Sequence, residues 1–325
     1  MKKVLVAGGG GFIGGYLVRK LLSTGHEVTA VDVKPFEAWY QVHPGASNFS
    51  RDLALLSECE TSIKGVDEVY NLAADMGGMG FIENNKAACM LSVLINTHLL
   101  MAGKENGVKR FFYASSACVY NASKQNSENN PGLKEEDAYP AMPEDGYGWE
   151  KLFSERMCRH FYEDYGIETR VARYHNVYGP FGTWDGGREK APAALARKIA
   201  KAKIESSNKI EIWGDGEQTR SFTYIDDCIE GTLRLMESNI REPINIGSDQ
   251  MVSINQMVDI LEDIAEVKLE REYNLNAPKG VRGRNSDNTL VQELMGWKPS
   301  ISLEDGLKKT FDWIHEEILG KKDGK

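Results

Sequence analysis

Short apolar runs alternate with amphipathic stretches through the first half of the chain. The runs rich in β-branched residues predict four strands, at residues 4–6, 27–31, 68–72 and 110–114. Between these strands, residues 12–23 and 90–105 place apolar side chains at helical spacing, so we predict a helix over each range. Strands that alternate with helices in this way are typical of βαβ units and a parallel sheet.

The second half of the chain has a looser pattern. A polar stretch at 121–146 predicts a surface loop, which a helix from about 147 to 165 and a strand at 169–173 are predicted to follow. Two later helices are predicted to begin at Ser253, where the sequence matches a capping box, and at Ser302. Their apolar stripes are interpreted as core surfaces.

Composition and net charge limit the kinds of molecule that the protein can bind. The 325 residues carry a formal net charge of −9, with 41% hydrophobic and 27% charged residues, which is typical of a globular protein with a sizeable core. So acidic a chain excludes wholesale binding to nucleic acid or to an anionic membrane. An anionic ligand must therefore be held by a few local cations.

The cysteines and the first residues bear on location. The five cysteines lie far apart, with no Cys-x-x-Cys and no metal-type spacing, at positions 59, 89, 118, 158 and 228. This pattern predicts free thiols in a reducing compartment and no metal site. The apolar run after Met1 is too short for the core of a signal peptide or for a membrane span. We therefore predict a cytoplasmic protein.

A glycine-rich turn follows the first predicted strand and begins the first predicted helix. Gly8, Gly11 and Gly14 are spaced so that the backbone turns tightly and can approach a pyrophosphate. The pyrophosphate would then lie at the helix N-terminus, beside Phe12 and Ile13. Such a turn is weakly specific by itself, but a strand before it and a helix after it are the setting of a dinucleotide site.

Residues at the ends of later strands extend this predicted cofactor site. Asp32 ends the second strand, where a carboxylate can accept hydrogen bonds from the adenosine ribose and repel a 2′-phosphate, so we predict NAD rather than NADP. Lys34 is interpreted as a solvated surface lysine. The third and fourth strands are predicted to end in further cofactor contacts, at Asp52, Leu53, Ala73 and Ala74. A buried packing contact is the alternative interpretation of the two alanines.

Two of the Tyr-x-x-x-Lys matches in the chain are candidates for a catalytic pair. Tyr120 and Lys124 enter the polar loop, where four-residue spacing has no structural meaning. Tyr147 begins a predicted helix, so Lys151 lies one turn further on the same face. An ammonium beside the phenol would lower its pKa from ~10 and allow proton transfer at neutral pH. We predict Tyr147 and Lys151 as the pair, with Ser116 at a strand end bonding the same substrate hydroxyl.

Together these motifs resemble the extended short-chain dehydrogenase/reductases, the family of NAD-dependent epimerases and dehydratases. The resemblance covers almost the whole chain and rests on the glycine turn, residues 71–74, 115–116, Tyr147 with Lys151, and residues 220–227. It implies a Rossmann-like, doubly wound parallel sheet over 1–174, to which 221–248 return. A smaller C-terminal α/β domain over 175–320 would mainly hold the substrate, and 321–325 are interpreted as a frayed tail.

Within that family the chain resembles the GDP-mannose 3,5-epimerases. The segments that carry this narrower resemblance are 73–81, 115–118, 179–184, 187–192 and 281–288. The related 4-epimerases usually have threonine where Cys118 stands, and the dehydratases have acidic residues beside it, where this chain has Ala117. The resemblance implies conversion of GDP-mannose to GDP-L-galactose, GDP-L-gulose or both. It also implies a homodimer through the helices at 90–105 and 147–165.

The implied chemistry gives roles to Cys118 and Lys190. Oxidation of the sugar at C4 by NAD yields a ketone, which makes the hydrogens on C3 and C5 acidic. The pKa of a thiol, ~8.5, is lowered beside cations, and the pKa of a desolvated lysine also falls, so the two groups are suited to proton exchange on opposite faces of the ring. The resemblance implies Cys118 as the base and Lys190 as the acid, before the same cofactor reduces the ketone. Without the family motifs, they would be interpreted as a core thiol and a solvated lysine.

The resemblance also implies a set of residues around the nucleotide sugar. A diphosphate needs fixed cations, and Lys198, Arg220 and Arg284 match the phosphate- and substrate-contacting positions of the family. Gln218 lies beside Arg220 in the sequence. The other implied substrate contacts are Gly77, Ser116, Ala117, Cys118, Asn176, Glu189, Lys190 and Ala191. Trp213, next to a glycine-rich turn, is predicted to be a core residue.

Two other functions stay open at this point. One is that of another nucleotide-sugar 4-epimerase or 4,6-dehydratase with the same fold. The other is that of a non-catalytic NAD-binding regulator, which would be expected to have lost part of the Tyr147 and Lys151 pair, whereas both residues are present.

Overall fold

A seven-stranded parallel sheet lies at the centre of the computed structural model, which describes residues 1–323. The strands are β1 Lys3–Ala7, β2 Glu27–Asp32, β3 Ser47–Ser50, β4 Glu68–Asn71, β5 Arg110–Ser116, β6 Glu168–Tyr174, β7 Val177–Tyr178, β8 Lys209–Trp213, β9 Thr219–Ser221, β10 Thr223–Tyr224, β11 Ile244–Ile246, β12 Met251–Ser253, β13 Glu270–Asn274 and β14 Gly283–Arg284. The sheet has the order β3-β2-β1-β4-β5-β6-β11. Strand order reverses between β1 and β4, the point where open α/β sheets bind ligands.

Helices cover both faces of this sheet. They are α1 Phe12–Ser23, α2 Leu56–Ser62, α3 Met79–Asn84, α4 Lys86–Leu91, α5 Val93–Asn106, α6 Tyr147–Tyr165, α7 Ala191–Glu205, α8 Ile225–Glu237, α9 Ile254–Ala265, α10 Thr289–Met295 and α11 Leu303–Asp323. Side chains of a strand alternate between faces, so Phe111 of β5 packs in the cluster with Leu99 of α5, and Phe112 packs against Tyr70 in the other. The doubly wound α/β fold class predicted from the sequence is confirmed.

The predicted helix bounds agree with the structure where apolar residues recur at helical spacing without interruption. The helices predicted at 12–23 and 147–165 are α1 and α6, with the same bounds. The single helix predicted over 90–105 is instead α4 and α5, which meet at Ser92. The break places the Ser92 hydroxyl where it accepts a hydrogen bond from the Asp75 backbone N–H at 2.9 Å. That contact fixes the loop after β4 at the ligand-binding edge of the sheet.

A smaller α/β region lies beside the sheet and is built mainly from the second half of the chain. Strand β9 pairs antiparallel with β12 and parallel with β14, and β13 pairs with β8. Helix α9 begins with the predicted capping box, because Ser253 Oγ accepts from the Gln256 N–H at 3.1 Å and Gln256 Oε1 accepts from the Ser253 N–H at 2.8 Å. The domain limits given above stay a prediction.

The C-terminal helix extends into the stretch interpreted as a tail. Helix α11 continues to Asp323, and the Lys321 ammonium lies 4.2 Å from the centroid of the Trp184 ring. This cation–π contact is the physical reason why residue 321 is held in the helix. Residues 324 and 325 of the predicted tail lie outside the described residues.

One helical stretch is long and apolar enough to cross a membrane, judged by length and composition. It spans Lys86–Asn106, which includes α4 and α5, and its most apolar window has a mean hydropathy of 1.3 with 39% of that window buried. Core helices meet the same criterion, so the observation is weak support for a membrane span.

Candidate functional site

The turn between β1 and α1 needs glycine at its tightest points. Gly8 has a φ of +82°, a left-handed conformation that favours glycine. A Cβ atom at Gly14 would lie 2.0 Å from the Gly8 carbonyl oxygen, so a side chain there would force the turn away from α1. A Cβ atom at Gly8 would lie 2.9 Å from the Ala73 backbone nitrogen. The turn therefore presents backbone atoms without side chains at Gly8 and Gly14, and Ala73 packs closely against Gly8.

A cavity of about 800 Å³ follows the carboxyl ends of the strands next to this turn. It is lined by every residue predicted to bind the dinucleotide: Gly8, Gly11, Phe12, Ile13, Gly14, Asp32, Asp52, Leu53, Ala73, Ala74, Tyr147 and Lys151. The volume, the bare glycine wall and the helix N-terminus fit an extended dinucleotide with a pyrophosphate at its centre. We refer to it as the larger cavity.

Asp32 and Lys34 form the side of the larger cavity at the end of β2. Asp32 is buried, and its Oδ1 accepts a hydrogen bond from the Lys34 backbone N–H at 3.1 Å. The Lys34 ammonium donates to the Gly10 carbonyl oxygen at 2.9 Å. The interpretation of Lys34 as a solvated surface lysine is therefore wrong, because the ammonium ties the glycine turn to β2.

Tyr147 and Lys151 lie one turn apart at the start of α6 and both line the larger cavity. The Lys151 Nζ is 5.4 Å from the centroid of the Tyr147 ring and 3.5 Å from Glu150 Oε2. Burial, followed by the nearby Cys118 and Glu150, raises the pKa of Tyr147 well above its ordinary value. The lowered pKa predicted from the sequence is therefore wrong, because burial is the largest effect on this phenol and Glu150 adds to it.

A smaller cavity of about 240 Å³ adjoins the larger one. It is lined by every residue implied as a substrate contact: Gly77, Ser116, Ala117, Cys118, Asn176, Glu189, Lys190, Ala191, Lys198, Gln218, Arg220 and Arg284. The residues that line both cavities are Met76, Gly77, Ser116, Tyr147, Tyr174 and Lys190. Ser116, Tyr147 and Lys190 can therefore contact groups bound in either cavity.

The end of β5 positions Cys118. Ser116 Oγ accepts a hydrogen bond from the Cys118 N–H at 3.2 Å and so caps the short helical turn that holds the cysteine. The thiol is 7% exposed and accepts from Arg284 Nη1 at 3.6 Å. Burial and the charge of Glu144 raise the pKa of Cys118 to about 11, against the effect of Arg284. The predicted lowering by cations is wrong here, because burial and the Glu144 carboxylate together outweigh the charge of Arg284.

Lys190 lies just before α7, next to a close contact between two loops. Burial lowers the pKa of its ammonium, the direction predicted from the sequence. The Gly78 N–H donates to the Arg188 carbonyl oxygen at 3.0 Å, and a Cβ atom at Gly78 would lie 2.5 Å from the Glu189 carbonyl oxygen. This backbone contact brings Gly77 and Lys190, which are far apart in sequence, to the same cavity.

The three predicted cations differ in their contacts. Arg220 donates to backbone carbonyl oxygens at 2.7, 3.2 and 2.6 Å, and burial lowers its pKa to about 10. Lys198 pairs with Glu211 at 3.0 Å. Arg284 is buried between Glu144, with which it pairs, and the thiol of Cys118. Arg284 is therefore placed against Cys118.

Two residues of the site differ from the sequence predictions. The sequence does not single out Glu144, because it lies in a polar loop and reaches the site only through tertiary contacts with Cys118 and Arg284. Trp213, predicted to be a core residue, is 44% exposed and lines the smaller cavity. Successive side chains of a strand point to opposite faces. Ile210 and Ile212 of β8 are buried, so Trp213 lies on the face opposite to them.

Comparison with known protein families and sequences agrees with this geometry. A profile described as the NAD dependent epimerase/dehydratase family matches residues 4–247 of the chain. GDP-mannose 3,5-epimerase 1 of Oryza sativa subsp. japonica is 51% identical over 326 residues, which cover 98% of this chain and 83% of that protein.

Solved structures of epimerases share the fold at lower sequence identity. The UDP-glucose 4-epimerase of Thermotoga maritima, solved with UDP-glucose, gives a TM-score of 0.86 at 27% identity, covering 97% of this chain and 99% of that chain. The UDP-glucuronic acid 4-epimerase of Bacillus cereus, in complex with UDP-glucuronic acid and NAD, gives a TM-score of 0.82 at 26% identity, with the same coverages of 97% and 99%.

Proposed function

Because this chain belongs to the NAD dependent epimerase/dehydratase family, we propose that it inverts GDP-mannose at C3 and C5. It is an isomerase that uses NAD as its cofactor. The observation that carries the proposal is that Cys118, Lys190 and Tyr147 line one small cavity beside the larger, dinucleotide-sized one. The 4-epimerases of the two solved structures are 26–27% identical and a UDP-glucuronate 4-epimerase is 32% identical, whereas a GDP-mannose 3,5-epimerase is 51% identical, so the alternative functions are not favoured.

NAD would be held in the larger cavity by the glycine turn and the strand ends. The backbone from Gly8 to Gly14 and the first turn of α1 suit the pyrophosphate, and Asp32 suits the adenosine ribose. When bound there, NAD would supply reversible hydride chemistry at C4 of the sugar. The close packing of Gly8 against Ala73 fixes this wall of the cavity.

Tyr147 moves the proton of the substrate hydroxyl at C4. Tyr147 lines both cavities. It can therefore take a proton from a substrate in the smaller cavity while it lies beside a cofactor in the larger cavity. Because burial disfavours the phenolate, Tyr147 depends on the nearby Lys151 ammonium to lose its own proton. Ser116, at the shared wall, would hold the same hydroxyl.

Cys118 and Lys190 exchange protons at C3 and C5. A ketone at C4 withdraws electrons and so makes the hydrogens on both neighbouring carbons acidic. Cys118 acts as the base in its thiolate form, which Arg284 stabilises from 3.6 Å. Lys190 acts as the acid, and its lowered pKa makes it a better proton donor than an ordinary lysine.

The outer part of the smaller cavity suits a nucleoside diphosphate. Arg220 and Lys198 supply positive charge for the phosphates. Trp213 lines the same cavity and presents an exposed aromatic face, on which a purine base can stack. These contacts support a nucleotide sugar as the substrate class.

Incubation of the NAD-bound protein with GDP-mannose in D2O tests the proposed reaction. We expect deuterium to enter the sugar at C3 and C5, because both carbons exchange protons with protein groups that equilibrate with solvent. Mass spectrometry and NMR of the recovered nucleotide sugar locate the label. A 4-epimerase would incorporate none, so an unlabelled product, or no product from GDP-mannose while UDP-glucose reacts, would contradict the proposal.

We propose that the protein is a homodimer joined through α4, α5 and α6. Large apolar side chains are exposed on these neighbouring helices, namely Met90, Leu91, Leu94, Met101, Trp149 and Phe153. Exposed apolar patches of this kind mark interaction surfaces. A protein interface, rather than a membrane, would cover this patch, because the same helices pack on the central sheet.

Leu94→Glu is expected to convert the dimer to a monomer, because it places a charge in the proposed interface. Leu294→Glu is the matched control, since it makes the same change at an exposed leucine on α10. Light scattering coupled to size-exclusion chromatography would give the masses, against 36.3 kDa for one chain. A wild-type protein that elutes as a monomer would refute the homodimer.

We also propose that the protein is located in the cytoplasm. All five cysteines are free thiols within residues 1–323. Free thiols are the usual state in a reducing compartment, which supports this location.

A further inference from the structure

A carboxylate that the mechanism above does not use lies against Cys118. The Glu144 backbone N–H donates to the Cys118 carbonyl oxygen at 3.0 Å, so the two residues are held side by side. The Glu144 side chain is only 11% exposed, and its Oε1 pairs with Arg284 Nη2. Its other oxygen, Oε2, is buried, and the Cys118 thiol lies within hydrogen-bonding reach of the carboxylate. A buried carboxylate is costly and needs an explanation.

The charges around Cys118 come from several segments of the chain. The titratable and charged groups that act on this thiol or on its neighbours Tyr147, Lys190 and Arg220 are Glu144, Arg284, Lys190, Tyr147, Arg220, Glu150, Cys89 and Cys228. Glu144 is the carboxylate among them that acts on the Cys118 thiol itself. The Arg284 guanidinium binds Glu144 Oε1 and also contacts the Cys118 sulfur at 3.6 Å. Its positive charge therefore acts on the carboxylate as well as on the sulfur.

We propose that Glu144 is a positioning residue for proton exchange: it fixes Arg284 against Cys118, and its negative charge keeps the cysteine in the thiol form. This inference rests on the proposed function only in its kinetic part. A base that remains protonated until the substrate is present is protected from oxidation and alkylation, since the thiolate is the reactive form. The role belongs to the site itself, because Glu144 reaches Cys118 and Arg284 but makes no salt bridge elsewhere within residues 1–323.

The direction in which Glu144 changes the pKa of Cys118 follows from its negative charge. A negative neighbour disfavours the thiolate, so the pKa of Cys118 is raised while Glu144 is ionised. In Glu144→Gln the charge is lost and the shape is kept, so Arg284 acts on the sulfur without opposition. The thiolate should then form at lower pH, by about one pH unit or more, the usual size of the effect of one close charge.

The first experiment is a titration of Cys118 in the NAD-bound protein without sugar. The ultraviolet absorbance of the thiolate is followed with pH, and the same titration of Cys118→Ser, made in each background, is subtracted. Asp145→Asn is the matched control, because it removes the same charge from the neighbouring residue, which is exposed and paired with Lys86. We expect a downward shift in Glu144→Gln and none in Asp145→Asn. An unshifted curve in a folded Glu144→Gln protein would overturn the proposal.

The second experiment measures deuterium entry into GDP-mannose as a function of pH. We expect the alkaline rise of the exchange rate to move to lower pH in Glu144→Gln. Glu144→Asp keeps the charge but is one methylene shorter, so its rise should stay near that of the wild type while KM increases as Arg284 loses its contact. If the titration shifts but no variant exchanges deuterium, the proposed reaction is wrong and the electrostatic role stands. If the exchange profiles of Glu144→Gln and the wild type coincide, the role in proton exchange is refuted.

Discussion

Tyr147→Phe is expected to lower the turnover of GDP-mannose by ~10²- to 10⁴-fold, the range over which general acid–base groups act. This loss corresponds to about 3 to 5 kcal/mol of transition-state stabilisation. Phenylalanine keeps the ring that separates the two cavities but cannot accept the proton of the C4 hydroxyl. Deuterium entry at C3 and C5 should fall in parallel, because both exchanges require the ketone at C4.

The control for this prediction is Tyr165→Phe. Tyr165 ends the same helix, α6, is 52% exposed and lines neither cavity. Its variant should turn over at the wild-type rate, and both variants should retain NAD. The measurements are the formation of product by chromatography and the label by mass spectrometry. Normal turnover by Tyr147→Phe would remove the tyrosine from the redox step.

Cys118→Ser should lose ~10²- to 10⁴-fold in deuterium exchange while it still binds NAD and GDP-mannose. A serine hydroxyl occupies nearly the same space but is a far weaker acid than a thiol, so it does not form the anion that removes a carbon-bound proton. Binding should persist because the Cys118 N–H, which bonds Ser116, belongs to the backbone. The variant therefore separates oxidation at C4 from inversion at the neighbouring carbons.

Cys59→Ser is a suitable control for this cysteine change. The Cys59 thiol is also buried, and it donates to the Leu53 carbonyl oxygen at 3.1 Å, a bond that a serine hydroxyl can replace. Isotope exchange, calorimetric binding of GDP-mannose and the spectrum of bound NAD distinguish loss of chemistry from loss of binding. Wild-type exchange in Cys118→Ser would exclude the cysteine as the base.

Local features of the chain were predictable where the interactions are local. The period of apolar residues sets the bounds of α1 and α6, and the spacing Gly8, Gly11, Gly14 sets the turn between β1 and α1. Residue pairs one helical turn apart, such as Tyr147 and Lys151, follow directly from helix geometry. The break at Ser92 was not visible in the same way, because it depends on a hydrogen bond from Asp75.

The tertiary structure decided the charge states in the site. The sequence predicts lowered pKa values for Tyr147 and Cys118 from the cations near them, whereas burial raises both in the folded chain. A pKa depends on the cost of removing a charge from water and on neighbours from distant segments, and neither is written in the local sequence. Glu144, which faces Cys118 from the polar loop, is such a neighbour.

Sequence alone therefore determined the fold class and the cofactor turn, because these rest on short-range spacing. The roles of Cys118 and Lys190 come from the family resemblance and stay a prediction. Only the folded chain decided that Gly77 and Lys190 share a cavity, through the backbone contact of Gly78 with Arg188. It also decided that Arg284 lies against Cys118 and that Trp213 is exposed. These arrangements arise from long-range packing, which brings together residues whose separation along the chain carries no geometric information.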